Sequence, residues 1–417
     1  MPPAIGSTTP DAPRARAALS IVQAATLIAL LLGLQPVLTD VYLPSLPLIV
    51  RALDAPMGAV QQTMSVLILA FGLMQLVWGP VADRFGRRPV LLVNLALLVA
   101  SSVGAALADD IGALIAWRSA QGAALAAAVV CARAMVRDLY EPHQGAHVMA
   151  WALSGLGVIA VAAPLAGGLL AAAFGWRAGL TAVACFSAAA LLAVAWWLPE
   201  TLAARNPRAL QLPVLARNAR AVVVHPTFRA WALLVASTYG GLFMLLSASS
   251  YVYIGRLGMT STQYGLTMAG GSFVYLVGTF VCRRWLRQAG LRGAVRRGAG
   301  FTLAGGLGMA ACALLDTPPV ALVLACHAAY TFGHGMHQPC GQAGAVGPFP
   351  QMAGVASALT GCLLALVAFG VGLWLSHAMD GSLRPLGLGL AVAALCTASI
   401  AWTLVQRHGE PPRAAAA

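Results

Sequence analysis

Charged residues are scarce in this chain. Only 9% of its 417 residues are charged, whereas 60% are hydrophobic, and the mean hydropathy is +0.81. A water-soluble surface cannot be built from so few charges, which excludes a soluble globular protein. The composition therefore predicts an integral membrane protein of the all-α class.

Motifs for disulfides and metal binding are also missing. The eight cysteines include no CxxC pair, and all of them fall in or at the ends of apolar runs. We interpret them as small buried hydrophobic residues, so the sequence predicts neither a metal site nor a cofactor. The start of the chain shows no cleavable signal pattern. Residues 1–17, polar and rich in proline and alanine, are interpreted as a disordered cytoplasmic leader.

Lysine is absent, so all 25 basic residues are arginines, and the formal net charge is +13. Such a charge would also suit a nucleic-acid-binding protein, but these arginines lie in short loops between apolar runs. Orientation in the membrane and contact with anionic lipid headgroups account for them better. The lipid bilayer is therefore an expected partner, and nucleic acid is not.

Apolar runs of about 20 residues, enough to cross a bilayer core, recur along the chain. They predict helices at roughly 18–42, 58–80, 89–108, 111–134, 145–173, 176–198, 228–254, 262–283, 298–315, 318–340, 352–378 and 384–405. The basic stretch 199–227 between the two sets is too polar to span. The sequence thus predicts two pseudo-symmetric six-helix bundles, 18–198 and 228–405, joined by a cytoplasmic linker and followed by a cytoplasmic tail, 406–417.

The arginines test this topology. Twenty of the 25 fall on one side of the predicted membrane. The opposite side receives only Arg51, Arg177, Arg256 and Arg384, and Arg118 falls inside the membrane. By the positive-inside rule the arginine-rich side is cytoplasmic, which predicts that both termini are cytoplasmic too.

A charged turn at 79–89 reads Gly-Pro-Val-Ala-Asp-Arg-Phe-Gly-Arg-Arg-Pro. Its charged members are Asp83, Arg84, Arg87 and Arg88. Gly79 and Gly86 are expected to allow close helix approach and unusual backbone angles. A solvated basic turn would explain the arginines but not the acid and the two glycines. The pattern G-x3-D-R-x-G-R-R resembles the loop between the second and third helices of major facilitator superfamily transporters.

Asp40 is the only acid well inside a predicted helix. Pro36 and Pro44 remove backbone N–H groups on either side of it, and such a broken segment is tolerated only against protein or a water-filled cavity. An ionisable residue at that depth is a functional candidate, which predicts proton coupling or substrate contact. The alternative is that Asp40 caps an outer helix end near the headgroups.

Arg118 is the matching cation. It begins the sequence Arg-Ser-Ala-Gln-Gly, which resembles the R-x-x-Q-G motif in the fourth helix of the superfamily. Arg118 and Gln121 are three residues apart and share a helix face, and both are expected to point inward because an arginine facing lipid is costly. The alternative is that Arg118 snorkels to the outer surface.

The stretch 163–168, Ala-Pro-Leu-Ala-Gly-Gly, resembles the fifth-helix motif G-P-x-x-G-G. In the superfamily that motif is associated with antiporters, and Pro164, Gly167 and Gly168 match it, whereas its first glycine is Ala163 here. The alternative is ordinary packing of small residues between membrane helices.

Three further segments, 39–47, 133–140 and 175–177, resemble the Bcr/CflA subfamily of bacterial multidrug transporters, and the likeness is strong over about residues 30–202. The resemblance implies the major facilitator fold with twelve transmembrane helices, and proton-coupled drug export by alternating access. By resemblance, Asp40 is the coupling acid, and its site includes Arg118, Gln121 and Tyr42. The resemblance also implies a cytoplasmic gate formed by Gly79, Asp83, Arg84, Gly86, Arg87, Arg88 and Asp138.

The predicted function is therefore proton-coupled antiport of drug-like small molecules, amphipathic or cationic, across the bacterial inner membrane by a monomer. The alternative is transport of a dedicated small metabolite. An embedded enzyme would need a nucleophile with its base or a metal cluster, and Asp40 has no partner carboxylate. We therefore expect no enzymatic activity.

Three histidines lie on one predicted helix. His327, His334 and His337 are seven and three residues apart, so their side chains can share a face. Such residues can bind metal or relay protons. No carboxylate or thiol motif accompanies them, and the sequence favours polar residues that line the core or a cavity.

Overall fold

The computed structural model describes residues 19–202 and 204–410, together with the backbone but not the side chains of Pro142 and Ala146. Within these residues the regular elements are all helices. The predicted leader, 1–17, and residues 411–417 of the predicted tail lie outside the described residues.

The first half of the chain folds into helices that cross the predicted membrane in alternating directions, starting from the arginine-rich side. Its helices are α1 (Ile21–Asp40), α2 (Leu46–Ala52), α3 (Met57–Phe85), α4 (Arg87–Ala106), α5 (Ile111–Leu139), α6 (Pro142–Phe174) and α7 (Trp176–Trp197). A 3₁₀ turn, Leu43–Ser45, carries Pro44 and separates α1 from α2. The helix therefore ends before Pro44, as expected from the missing N–H of that residue.

The second half repeats this arrangement. Its helices are α8 (Leu212–Val223), α9 (Pro226–Ser250), α10 (Ser261–Ala313), α11 (Val320–Val346), α12 (Ala353–Ala378), α13 (Arg384–Trp402) and α14 (Leu404–His408). α8 lies in the predicted linker, and only Val222 of this short helix is buried.

Ten stretches of the described chain are long and apolar enough to cross a membrane. One of them, the 53-residue α10, changes direction at Gly290, whose φ of 65° is readily adopted only by glycine. α10 therefore makes two crossings, which we call its first arm (261–289) and second arm (291–313). α11 adds another, because its histidines lower its hydropathy but not its 27-residue length. The described residues thus contain the twelve predicted crossings.

Some predicted loops are helical. Residues 284–297, expected to be a cytoplasmic loop, continue both arms of α10 and turn only at Gly290. α3 and α5 likewise extend about one turn beyond their predicted ends. Arginine ends an apolar run but is a good helix former, so a helix continues past the point where its hydropathy falls.

The two bundles meet along two pairs of helices, α3 with α12 and α6 with α10. Small residues make this approach close. A Cβ on Gly168 would lie 3.2 Å from the Cα of Gly265, and the reverse distance is also 3.2 Å. Such backbone contact is typical of membrane helices that pack through small residues. Between these two seams the bundles enclose a cavity.

Candidate functional site

The cavity between the bundles has a volume of about 1510 Å³. α1 and α6 form one wall, and α9, the first arm of α10, and α11 form the other. Arg133 and Arg283 line it at the arginine-rich end, and Leu43 lines it at the opposite end. Most of the lining is aliphatic or aromatic, so each polar side chain that faces the cavity stands out.

Asp40 is one of these polar residues. It is the last residue of α1, and its partly exposed side chain faces the cavity. The hydroxyl of Thr39 lies 2.7 Å from Oδ1 of Asp40 and 3.0 Å from the carbonyl oxygen of Gln35. The alternative interpretation placed Asp40 at a helix end near the lipid headgroups. Asp40 does end a helix, but it lines the cavity between the bundles.

Arg118 is fully buried, at 0% exposure. Its Nη1 and Nη2 donate to the carbonyl oxygen of Leu38 at 3.2 and 3.1 Å, and Nη1 also donates to Oε1 of Gln121 at 2.9 Å. The inward orientation expected for Arg118 and Gln121 is therefore observed, and the snorkelling alternative is wrong. Gln121 extends this hydrogen-bond network to α4, because its Nε2 donates to the hydroxyl of Ser102 at 2.9 Å.

The positive charge of Arg118 faces an aromatic ring. Its guanidinium carbon lies 4.1 Å from the centre of the Tyr42 ring, and the Tyr42 hydroxyl is 2.9 Å from that of Thr63. No ion pair among residues 19–202 and 204–410 joins Arg118 to Asp40. The structure thus places Tyr42, Gln121 and Arg118 in one network, with Asp40 beside it but not paired to it.

At the arginine-rich end, Arg87 is buried between two acids. Its Nη2 lies 2.6 Å from Oδ1 of Asp83, and its Nε donates to Oδ2 of Asp138 at 3.1 Å. All three residues belong to the first bundle. Within the described chain, no hydrogen bond or ion pair joins Asp83 to the start of α12 in the second bundle.

The other members of the charged turn are also placed. Arg84 donates to the carbonyl oxygen of Pro207 at 2.5 Å, and Arg88 donates to that of Ala195 at 3.0 Å. Gly86 has a φ of 109°, which explains why glycine is required there. The expected close approach at Gly79 is wrong, because a Cβ there would lie 3.9 Å from its nearest neighbour, an ordinary contact.

The small residues of α6 lie at the seam between the bundles. The would-be Cβ of Gly167 points at the backbone of Val41, just after Asp40, and that of Gly168 points at the backbone of α10. Pro164 lines the cavity, and its carbonyl oxygen would lie 2.6 Å from a Cβ on Gly265. The motif therefore packs α6 against the end of α1 on one side and against the second bundle on the other.

The histidines of α11 separate into two kinds. His327 and His334 line the cavity, as the sequence favoured, and each binds a hydroxyl through Nδ1, from Tyr253 at 3.0 Å and Thr238 at 3.1 Å. His337 is fully buried, and its Nε2 lies 3.1 Å from the hydroxyl of Thr302. Within residues 19–202 and 204–410, no three metal-binding side chains lie close enough together to hold a metal ion.

The described chain thus combines two six-helix halves, a cavity between them, and a buried arginine on α5, the fourth membrane crossing. Residues 28–373 of the chain match the family described as Major Facilitator Superfamily. The chain belongs to the major facilitator superfamily. It is thus a multi-pass membrane transporter and not an enzyme.

Similar proteins agree with this membership. The chain is 28% identical to a bicyclomycin resistance protein homolog of Haemophilus influenzae, over 81% of this chain and 84% of that protein. It is also 28% identical to multidrug resistance protein D of Escherichia coli, with the same two shares. These relatives confirm the predicted resemblance. In fold it is similar to the human organic anion transporter MFSD10 (TETRAN), with a TM-score of 0.68, 20% identity and coverage of 93% and 100%.

The superfamily motifs did not reveal every residue that holds the site together. Glu200 accepts the backbone N–H of Arg87 at 2.9 Å and that of Arg88 at 3.3 Å, and so caps the start of α4. Its only sequence signal is an acid directly after an apolar run. Tyr253 and Thr238, the partners of the cavity histidines, carry no signal, because both lie more than 70 residues from the rings they bind.

Proposed function

We propose that the chain exports drug-like small molecules across the bacterial inner membrane in exchange for protons, by alternating access, with both termini in the cytoplasm. One observation carries this proposal: the carboxyl group of Asp40 faces a large and mostly apolar cavity between the two bundles. An ionisable group in that setting is costly to keep, and it is retained where a charge or a proton must be bound.

The surroundings of Asp40 suit both of its protonation states. A charged Asp40 accepts a hydrogen bond from the Thr39 hydroxyl across 2.7 Å. A protonated Asp40 donates to the same oxygen, and the Thr39 proton then turns to the carbonyl oxygen of Gln35 at 3.0 Å. The carboxyl group therefore gains or loses a proton without leaving a buried polar group unpaired, as a coupling residue must.

The cavity suits drug-sized amphipathic molecules. Ligand pockets commonly measure about 300–1,000 Å³ and are lined mostly by apolar side chains with a few polar groups. The observed volume of about 1510 Å³ holds such a molecule with room for water. A charged Asp40 attracts a cationic group, and its protonation releases that group, which links export to inward proton flow.

Arg118 is proposed to position the coupling residue. It binds the carbonyl oxygen of Leu38, two residues before Asp40, and its charge is further stabilised by the ring of Tyr42. Gln121 fixes the guanidinium from the other side. The network thus holds the end of α1 in place, so that Asp40 stays at the cavity wall while it titrates.

The charged turn is proposed as the cytoplasmic gate. The side chain of Asp83 is 46% exposed although Arg87 holds one of its oxygens. Its free oxygen is available for the positive N-terminus of α12 when the bundles close on that side. The ion pairs of Arg87 lie within one bundle and coexist with a cavity that reaches Arg133 and Arg283, so they orient Asp83 rather than shut the cavity themselves.

The names of the bicyclomycin and multidrug resistance relatives support drugs as the cargo. The test uses everted membrane vesicles with an imposed pH gradient, a pH-sensitive dye and a panel of drugs. Asp40→Asn is expected to insert normally but to lose substrate-induced proton movement, whereas the control Asp54→Asn, an exposed acid in the turn before α3, keeps it. Proton movement at the wild-type rate in Asp40→Asn would exclude Asp40 as the carrier. Transport of one metabolite and no drug would favour the metabolite alternative.

A further inference from the structure

A polar stripe runs along the face of α11 that borders the cavity. Its members are His327, Thr331, His334 and Gln338, and all four line the cavity. Spacings of four, three and four residues place them on one helix face. The stripe belongs to the second bundle, and Asp40 belongs to the first, so the acid and the histidines lie on different walls of the same cavity.

The ring of His327 is held from behind. Its Nδ1 lies 3.0 Å from the hydroxyl of Tyr253, a residue at 0% exposure that is not part of the described cavity lining. Its Nε2 points the other way, toward Gly271, where a Cβ would lie 3.2 Å from that nitrogen. Gly271 lines the cavity. The absence of a side chain at this position keeps the second nitrogen accessible from the cavity.

The hydrogen-bond network assigns the tautomer of His327. The hydroxyl of Tyr253 is buried, and Nδ1 of His327 is its only hydrogen-bond partner in the described chain. A buried hydroxyl proton needs an acceptor, so Tyr253 donates to Nδ1. The neutral imidazole then carries its hydrogen on Nε2, which makes that nitrogen a donor aimed at the cavity.

We propose that His327 determines specificity by donating a hydrogen bond from Nε2 to an acceptor oxygen of the exported molecule. Together with Asp40 this defines a substrate class: amphipathic amines that carry a carbonyl or carboxylate oxygen at a distance from the amine. The inference rests on the proposed export of drug-like molecules. Tyr253 is the positioning residue, because it fixes which nitrogen of His327 carries the hydrogen.

His337 provides a matched control on the same helix. It is fully buried, its Nε2 binds Thr302 at 3.1 Å, and it is not part of the described cavity lining. Replacing it removes an imidazole from α11 without changing the donors that face the cavity. A general effect of losing a buried histidine is thereby separated from a loss of substrate recognition.

The experiment measures binding of two probes to the purified full-length chain. Norfloxacin carries an amine and a carboxylate, whereas tetraphenylphosphonium is a cation without any oxygen. His327→Phe is expected to weaken norfloxacin binding about tenfold, the equivalent of one hydrogen bond, and to leave tetraphenylphosphonium binding within about twofold. Tyr253→Phe is expected to weaken norfloxacin alone by about threefold. His337→Phe is expected to change neither.

Tetraphenylphosphonium binding also reports folding, so a misfolded variant is recognised by the loss of binding of both probes. If His327→Phe misfolds, His327→Gln serves in its place. Because glutamine keeps a hydrogen-bond donor, this variant is expected to retain the wild-type affinity for norfloxacin relative to tetraphenylphosphonium. Equal weakening of both probes by folded His327 and Tyr253 variants, or no weakening, overturns the inference, as does a wild-type chain that fails to bind norfloxacin. Selective binding without proton-driven transport would overturn the proposed function and leave the recognition role of His327 intact.

Discussion

The guanidinium of Arg118 is stacked 4.1 Å from the ring centre of Tyr42, where a buried cation would ordinarily be paired with a carboxylate. The ring and the carbonyl oxygen of Leu38 together take the place of a counter-ion. Asp40 therefore has no ion-pair partner in the described chain, as the proposed coupling role requires.

The ring of Tyr42 is expected to be essential for burying Arg118. Tyr42→Leu should lower the stability of the purified protein by about 2 kcal/mol or more, the value of a desolvated cation–π contact. Tyr42→Phe keeps the ring and loses only the hydrogen bond to Thr63, so its loss should be about 1 kcal/mol. Thermal unfolding in detergent measures both. Equal losses for the two variants would show that the ring itself contributes little.

The hydroxyl of Thr39 is expected to act in proton exchange at Asp40. Thr39→Val preserves the shape but removes the hydroxyl, and should slow proton-driven export about tenfold, the equivalent of one charge-assisted hydrogen bond. Thr39→Ser should retain most of the rate. Substrate-induced proton movement in vesicles provides the measurement, with probe binding as the control for an intact cavity. A valine variant as fast as the serine variant would remove Thr39 from the proton path.

Glu200 is expected to stabilise the start of α4 as a cap. Glu200→Ala removes the acceptors for the N–H groups of Arg87 and Arg88, and should cost about 1–2 kcal/mol of stability. Glu141 is the matched control, because it precedes α6 without a side-chain cap hydrogen bond, so Glu141→Ala should cost about 0.5 kcal/mol or less. Unfolding temperatures compare the two, and a similar loss for both would contradict the cap.

The orientation of the chain is tested by labelling single cysteines in a background without native cysteine. Arg217→Cys, exposed on α8, should react only with reagents that reach the cytoplasm, and Arg256→Cys, exposed beyond α9, only from outside. Arg87 is unsuitable for labelling because it is buried between its two acids. Reaction of Arg217→Cys from outside would reverse the predicted topology.

Much of the architecture was predictable because the membrane imposes simple rules on a sequence. Run lengths gave the crossings, and the placement of Asp40 and Arg118 in apolar runs marked them as residues that must face the protein interior. The contact of Arg87 with Asp83 joins residues only four positions apart, so a short sequence motif was enough to predict it.

The remainder depends on contacts between distant segments. Nothing in the order of residues indicates that Tyr253 supports His327 or that Glu200 caps α4, since only the packed structure brings these groups together. The helical course of 284–297 was missed for a different reason. Hydropathy locates the apolar core of the membrane, whereas backbone hydrogen bonding continues into the headgroup region.

The bare contact of Gly168 with Gly265 has a mechanical consequence. Two helix backbones that touch without intervening side chains can tilt relative to one another, but they cannot come closer, so the contact acts as a pivot. Since this contact lies near the end opposite the arginines, a small rotation there swings the far ends of α6 and the first arm of α10 through a much larger arc. We expect a methyl group at either glycine to push the two helices apart and so to hold the bundles apart at their point of contact.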